Sequence, residues 1–284
     1  MPIPSQLNVD IINPETGYEL LVNNVRLRRM NDGSGSPSNL IIGTPSANAA
    51  SMPGNQNTFI GSGNSNSTAS GNTVVGAFAG GLHSGNNNTI IGNATALSLT
   101  SGAENVGIGV FAGSLNSTGS KNTYIGGFAG ATTYGGIGFN GGVNTTLIGY
   151  NAQPATVSAS NSITLGDSNI AVLRCAVTSI TSLSDGRDKE DVAKLTAGLE
   201  FVKELNPVSF VWNDRNEDGK HGVKDFGFIA QDLKATQEKY DMAETLGLVH
   251  EENPEKLEAS YGKLIPILVK AIQELSEEVK QLKK

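Results

Sequence analysis

One cysteine, Cys175, stands in 284 residues, so no disulfide can form within the chain. As a single thiol in a strand-like run, it is expected to be buried. The three histidines, His83, His221 and His250, are scattered, and with one thiol they make no ligand cluster, so no metal or cofactor is expected. Charge is almost missing from residues 39–180, which hold two acids, Glu104 and Asp167, and two bases, Lys121 and Arg174. Hydrolysis of a glycosidic bond normally needs two carboxylates within roughly 5–10 Å. Glu104 and Asp167 are expected about four repeat units apart, which argues against such a pair within one chain. A net charge of -7 and the absence of basic stripes argue against a nucleic-acid partner. Met1 to Asp10 lacks a basic segment and an apolar core, and no apolar run is long enough to cross a bilayer. Neither standard secretion nor membrane insertion is expected. The Asn-x-Ser/Thr triplets at Asn66 and Asn116 are then products of composition rather than glycan acceptors.

Glycine is what the chain has in abundance, and 25 of its 35 glycines lie between Gly43 and Gly166 among many Ser, Thr and Asn residues. Such a composition fits disorder, but disorder gives no reason for regular spacing. The spacing is regular. Asn followed by β-prone residues and a glycine recurs from Asn39, Asn57, Asn72, Asn88, Asn105 and Asn122, and, one residue longer, from Asn144 and Asn161. The intervals are 18, 15, 16, 17, 17, 22 and 17 residues. Ala77-Phe78-Ala79-Gly80, Val110-Phe111-Ala112-Gly113 and Gly127-Phe128-Ala129-Gly130 form a second repeated element. β-prone residues make a short strand, while Asn and Gly tolerate the positive φ of tight corners. The pattern predicts a coil of stacked rungs, a β-roll or β-helix over residues 39–180. A rung cannot bury its apolar face alone, so rungs must stack and their open sides must be covered. Either a single-chain solenoid or three chains sharing one axis meets that need, and the small side chains favour the trimer. These repeats resemble the heads of trimeric adhesins and the shafts or tips of phage tail fibres.

Residues 1–38 read as a β cap or attachment segment, with Leu20-Leu21-Val22 and Val25-Arg26-Leu27 flanking a turn at Asn23-Asn24. Arg26, Arg28 and Arg29 are the basic cluster of the first half, and a solvated strand face accounts for them better than a binding patch. Composition changes sharply near residue 181, since residues 181–284 carry 21 acids and 15 bases. There the chain reads as an α/β module. Leu195, Leu199, Val202 and Leu205 fall at helical intervals up to Asn206-Pro207, Val208 to Trp212 alternates as a strand, and Asn213 to Lys224 is a polar turn. Phe226 to Gln231 leads into another helix. A last helix spans 263–284, where Ile265, Leu268, Ile272, Leu275, Val279 and Leu282 form a heptad seam for a parallel coiled coil. β-branched residues at a with Leu at d would by themselves favour two strands. A helix lying on its own domain is the alternative.

Several motifs in this half occur in one order: Ser184-Asp185-x-Arg187-x-Lys189, Gly198-Leu199-Glu200-Phe201-Val202, Leu205-x-Pro207-Val208-x-Phe210-x-Trp212, Gly227 to Gln231, and Tyr261-x-x-Leu264. Residues 181–284 thereby resemble the C-terminal intramolecular chaperone of phage tailspikes and tail fibres, a module also found in phage endosialidases and the myelin regulatory factor. The resemblance implies a homotrimeric virion tail fibre, assembled in the host cytoplasm, whose partners are other tail proteins and a glycan-type receptor on the host surface. It implies a chaperone that drives trimer assembly and then cuts itself off, with Ser184 as nucleophile, Lys189 as general base and Leu183-Ser184 as the cut bond. Many members carry Leu where this chain has Asp188, which alters the charge beside the dyad.

The chemistry agrees in outline. A hydroxyl attacks only when a base takes its proton, and a lysine serves only as the neutral amine. Reaching that form near pH 7 costs an ordinary lysine roughly 4–5 kcal/mol. Asp185, Asp188, Glu190 and Asp191 favour the ammonium and Arg187 opposes it, so burial on trimer assembly is expected to tip the balance. A charged turn in which Ser184 or Asp185 only caps a helix is the bland alternative. Two other readings stay open, a polysaccharide-degrading tailspike and an uncleaved adhesin-like fibre. For sugar contact the aromatics Tyr124, Tyr134, Phe139 and Tyr150 are candidates, most of them packed between rungs, and residues 132–143 are the longest insertion.

Overall fold

In the computed structural model, residues 11–12, 18–22, 25–30, 39–43, 54–62, 68–81, 84–131, 133–134, 137–138, 141–176, 180–213 and 221–284 are described. The chain divides into two compact units, Met1–Asp167 and Ser168–Lys284.

The first unit is a β-solenoid of about 6 turns. It opens with an antiparallel meander of β1 (Ile11–Ile12), β2 (Tyr18–Val22) and β3 (Val25–Met30), and Val22 pairs with Val25 at the expected turn. From β4 (Asn39–Ile42) onward the strands stack in parallel: β5 (Thr58–Ile60), β6 (Thr73–Val75), β7 (Thr89–Ile91), β8 (Val106–Ile108) and β9 (Thr123–Ile125). A two-stranded excursion, β10 (Thr133–Tyr134) with β11 (Ile137–Gly138), interrupts the coil before β12 (Thr145–Ile148) and β13 (Ser162–Leu165) resume it. This excursion accounts for the long repeat interval. Phe139 of the same insertion, His83 and Asn66 lie outside the described residues.

Register explains the repeat. From β4 to β9 and in β12 one residue per strand faces inward, giving a buried column of Ile41, Phe59, Val74, Ile90, Tyr124 and Leu147 interrupted by Gly107. The flanking aliphatics turn outward, so Ile91, Ile108, Ile125, Ile148 and Leu165 form an exposed ladder. Tyr124 is therefore a core residue, packed against Gly113 and Gly130, and not a surface contact for sugar. Gly107 is the core position directly below it in register, and burial pushes the phenol upward from its ordinary pKa. Tyr150 is exposed and sits edge-on to Phe128, which stacks on Phe111 at 5.4 Å.

The asparagines form a second internal column. Each Oδ1 accepts the backbone N–H of the next rung's asparagine at 2.8–3.0 Å, from Asn39 through Asn57, Asn72, Asn88 and Asn105 to Asn122. The side-chain amides donate across to corner carbonyls such as Gly54, Ala69, Gly119 and Gly142. An amide supplies an acceptor and two donors without a charge, which a buried ladder of this geometry requires. Beyond Asn122 the expected starts at Asn144 and Asn161 shift by one. Thr145 donates its N–H to Asn122 and occupies the buried position, with Ser162 in register above it. Asn144 and Asn161 take positive φ at the exposed corner, in line with Gln56, Asn87, Glu104 and Lys121. The frame is set from the glycine end of the repeat. Gly43, Gly61, Gly76, Gly92, Gly109 and Gly126 have φ near +130°, and a Cβ on any of them would meet a carbonyl oxygen of the next rung's glycine at 2.0–2.7 Å.

The second unit packs α1 (Leu199–Glu204), α2 (Ala230–Lys239), α3 (Ala243–Leu246) and α4 (Leu264–Leu282) around Ala197, Phe201, Leu233, Leu246, Leu248, Leu264 and Ile267. Two hairpins complete it, β14 (Val208–Val211) with β15 (Lys224–Gly227), and β16 (Val249–His250) with β17 (Glu258–Ala259). Helix α1 is shorter than the expected 195–205 span, since the chain enters it through Gly198 and no side chain of its own caps it. The cap comes from α4: Glu274 Oε2 accepts the N–H of Leu199 at 2.7 Å, and any Cβ at Gly198 would collide with that carboxylate. Helix α4 lies on its own domain by one face and leaves the heptad positions on the other. Leu264, Ile267 and Ala271 are buried against the domain, while Ile265, Leu268, Ile272, Leu275, Val279 and Leu282 face outward as an unbroken seam. Cys175 is exposed and lies in irregular chain, contrary to the expectation of a buried strand thiol. Among the described residues, no helix is long and apolar enough to cross a membrane.

Candidate active site

Residues 180–184, leading to the dyad, are irregular chain, and Ile180 and Leu183 are almost fully exposed. At Asp185 the chain turns. Asp185 Oδ1 accepts the backbone N–H of Arg187 at 2.9 Å, capping a single 3-10 turn over Gly186–Asp188. Backbone bonds from Asp188 to Asp185 and from Lys189 to Gly186 close it, and Lys189 leaves in extended conformation. This short turn folds Lys189 back over Ser184. Its Nζ lies 2.6 Å from Ser184 Oγ and 3.1 Å from Ser184 O.

That distance places an amine within proton-transfer reach of the hydroxyl. The two expected functional side chains are thus together, and Leu183 presents its peptide bond to solvent beside them. Around them the acids are sorted. Asp185 is engaged by Arg187 through Nε at 3.1 Å and a terminal nitrogen at 2.5 Å. Hydrogen bonds from the guanidinium hold the Asp185 carboxyl below the usual range, and the carboxylate raises Arg187 in return. Charge counting makes Arg187 only a weak counterweight to four acids, whereas in the folded turn it holds Asp185 directly.

The other candidates are placed apart. Glu104 sits at an exposed corner before β8 and Asp167 follows β13, three rungs on rather than four, so the pair is separated by about 14 Å along the axis at rung spacing. His221 is exposed in a turn, and His250 shares a 2.7 Å hydrogen bond with Ser260. Among the described residues no group of three His, Cys, Asp or Glu side chains is disposed to hold a metal.

Residues 184–242 match the family model described as Chaperone of endosialidase, beginning at Ser184 itself. They are a chaperone-of-endosialidase domain. No curated protein and no solved structure matches the chain. A chaperone-of-endosialidase domain behind a β-solenoid fits a phage tail fibre or tailspike with a C-terminal chaperone, and this domain family is associated with trimeric phage tail proteins. Several of the motifs noted in the sequence have a physical task in the chaperone domain. Phe201 is a core residue of α1, and Trp212 Nε1 donates to Asp225 at 3.1 Å across the β14–β15 hairpin. Tyr261 lies beyond the matched stretch and buttresses the backbone at Phe228 within it.

Proposed function

We propose that the protein is a trimeric, receptor-binding phage tail fibre whose chaperone domain assembles it and then releases itself by cutting between Leu183 and Ser184. In this reading residues 1–38 cap or attach the fibre, 39–180 form its shaft and receptor-binding part, and 181–284 are the chaperone, with the coiled coil at 263–284. The observation that carries the cleavage is the 2.6 Å approach of Lys189 Nζ to Ser184 Oγ at the first residue of the stretch that matches the chaperone family.

The reaction follows from the placement of the hydroxyl. Neutral Lys189 takes the Ser184 proton while Oγ attacks the Leu183 carbonyl carbon through a five-membered ring. The C–N bond then breaks, its electron pair and a proton from Lys189 stay on the Ser184 nitrogen, and Leu183 is left as an ester on Oγ. Water hydrolyses the ester to a Leu183 carboxylate and a free Ser184 amine and hydroxyl. Both dyad residues are exposed in the single chain. Burial of Lys189 when copies assemble supplies the missing desolvation, so cleavage follows assembly.

Two apolar surfaces support self-association: the heptad seam of α4 and the outward aliphatic ladder of the solenoid. Rung pairing between chains has no local nucleus, and its closure cost falls on the chaperone. Expression of residues 1–183 alone tests this role. The account expects aggregated or monomeric solenoid, and a normal yield of trimer from that truncated gene would remove the chaperone function.

A further inference from the structure

We infer that the Asp185–Arg187 pair is a positioning device for the dyad, in which Arg187 keeps the Asp185 carboxylate away from Lys189 and leaves the amine to the Ser184 hydroxyl. This inference rests on the proposed self-cleavage. Asp185 is the immediate neighbour of Ser184, on whose hydroxyl and carbonyl oxygens Lys189 Nζ rests, so its carboxylate is borne by the residue next to the amine's contacts. The guanidinium occupies both carboxylate oxygens instead, through Nε to Oδ1 and Oδ2 and a terminal nitrogen to Oδ2. A planar fork is suited to that bidentate hold, whereas an ammonium is not.

The consequence is visible at Lys189. Its Nζ contacts the hydroxyl and carbonyl oxygens of Ser184, and among the described residues it forms no ion pair. The charged groups on the same stretch are Asp185, Arg187, Asp188, Glu190 and Asp191, and the whole stretch is exposed. No carboxylate from Asp188, Glu190 or Asp191 touches the amine. A carboxylate paired to the amine would favour the ammonium, which cannot accept the serine proton. The same Asp185 oxygen also caps the turn through the Arg187 N–H, so one residue shapes the turn while its charge is neutralised.

Cleavage of the full-length protein, followed across pH by intact mass, separates this role from simple turn formation. Arg187→Ala frees Asp185 and is expected to displace the pH–rate profile to higher pH, slowing cleavage at neutral pH by roughly 3- to 10-fold. Arg187→Lys keeps the charge without the fork and should fall between. Adding Asp185→Asn to Arg187→Ala is expected to restore the wild-type profile, because the amide oxygen still caps the turn and the competing charge is gone. Size measurement of each variant confirms that assembly is retained. An unmoved profile in Arg187→Ala, or a double variant no better than the single one, overturns the inference while self-cleavage stands. A wild-type chain that never cleaves overturns both.

Discussion

The Tyr261 hydroxyl closes on both backbone groups of one residue, accepting the N–H of Phe228 at 3.1 Å and donating to its carbonyl at 3.0 Å. This fastens the exit of β15 to the start of α4, and the Tyr261 and Phe228 rings meet edge to face at 5.6 Å. Gly227 leaves the room, since a Cβ there would lie 2.9 Å from the hydroxyl. Tyr261→Phe keeps the ring and removes both bonds. It should destabilise the chaperone domain by about 1 kcal/mol, read as a lower denaturant midpoint at unchanged slope.

The asparagine ladder makes a paired prediction. Asn88→Ala leaves the Asn105 N–H without its acceptor in a dry column, and should cost about 3 kcal/mol in urea unfolding of the solenoid. Asn144→Ala, though it replaces an asparagine of the same sequence repeat, alters an exposed corner and should change stability by less than about 1 kcal/mol. Equal losses at the two sites would contradict the register.

That contrast marks what was legible. The period, the parallel stacking and the chaperone motifs could be read because Asn, β-branched residues and Gly recur at fixed offsets, and each has a single physical task in a rung. The last two rungs could not be framed correctly, since counting from Asn hides that the backbone contact of glycine on glycine fixes the register. Which of the aromatics is packed between rungs could not be told for a related reason, and Tyr124 is the buried one. Its pocket is made by Gly107, Gly113 and Gly130, and glycines read as turns until the rungs are stacked. In the site, the spacing of Ser184 and Lys189 was legible, whereas the Arg187 fork depends on a turn whose geometry composition does not reveal.

The capping of α1 by Glu274 predicts an acid sensitivity. The Leu199 N–H and, secondarily, Lys270 hold the Glu274 carboxyl below its ordinary value. A depressed carboxylate contributes stability above its unfolded pKa and loses it as pH falls through the folded one. The thermal stability of the wild-type domain should therefore fall as pH drops through and below the usual carboxylate range, and Glu274→Gln should flatten that part of the dependence. An identical pH dependence in the variant would remove Glu274 from the account.

The two faces of α4 predict two phenotypes. Ile267→Ala excavates the domain core and should lower chaperone stability by about 2–5 kcal/mol. Ile272→Lys alters the outward seam, and should leave the domain folded but reduce assembly, with mass photometry showing monomer in place of about three times 29.5 kDa.

An intact-mass spectrum of purified wild-type protein beside Ser184→Ala and Lys189→Arg tests the central claim most directly. Wild type should give two products, one ending at Leu183 and one beginning Ser184-Asp185-Gly186-Arg187. Ser184→Ala should remain a single 29.5 kDa chain, and Lys189→Arg should cleave about 100-fold more slowly or not at all, because a guanidinium stays protonated. The same two products at normal yield from Ser184→Ala or Lys189→Arg, or an uncut wild-type trimer, would contradict self-cleavage by this dyad.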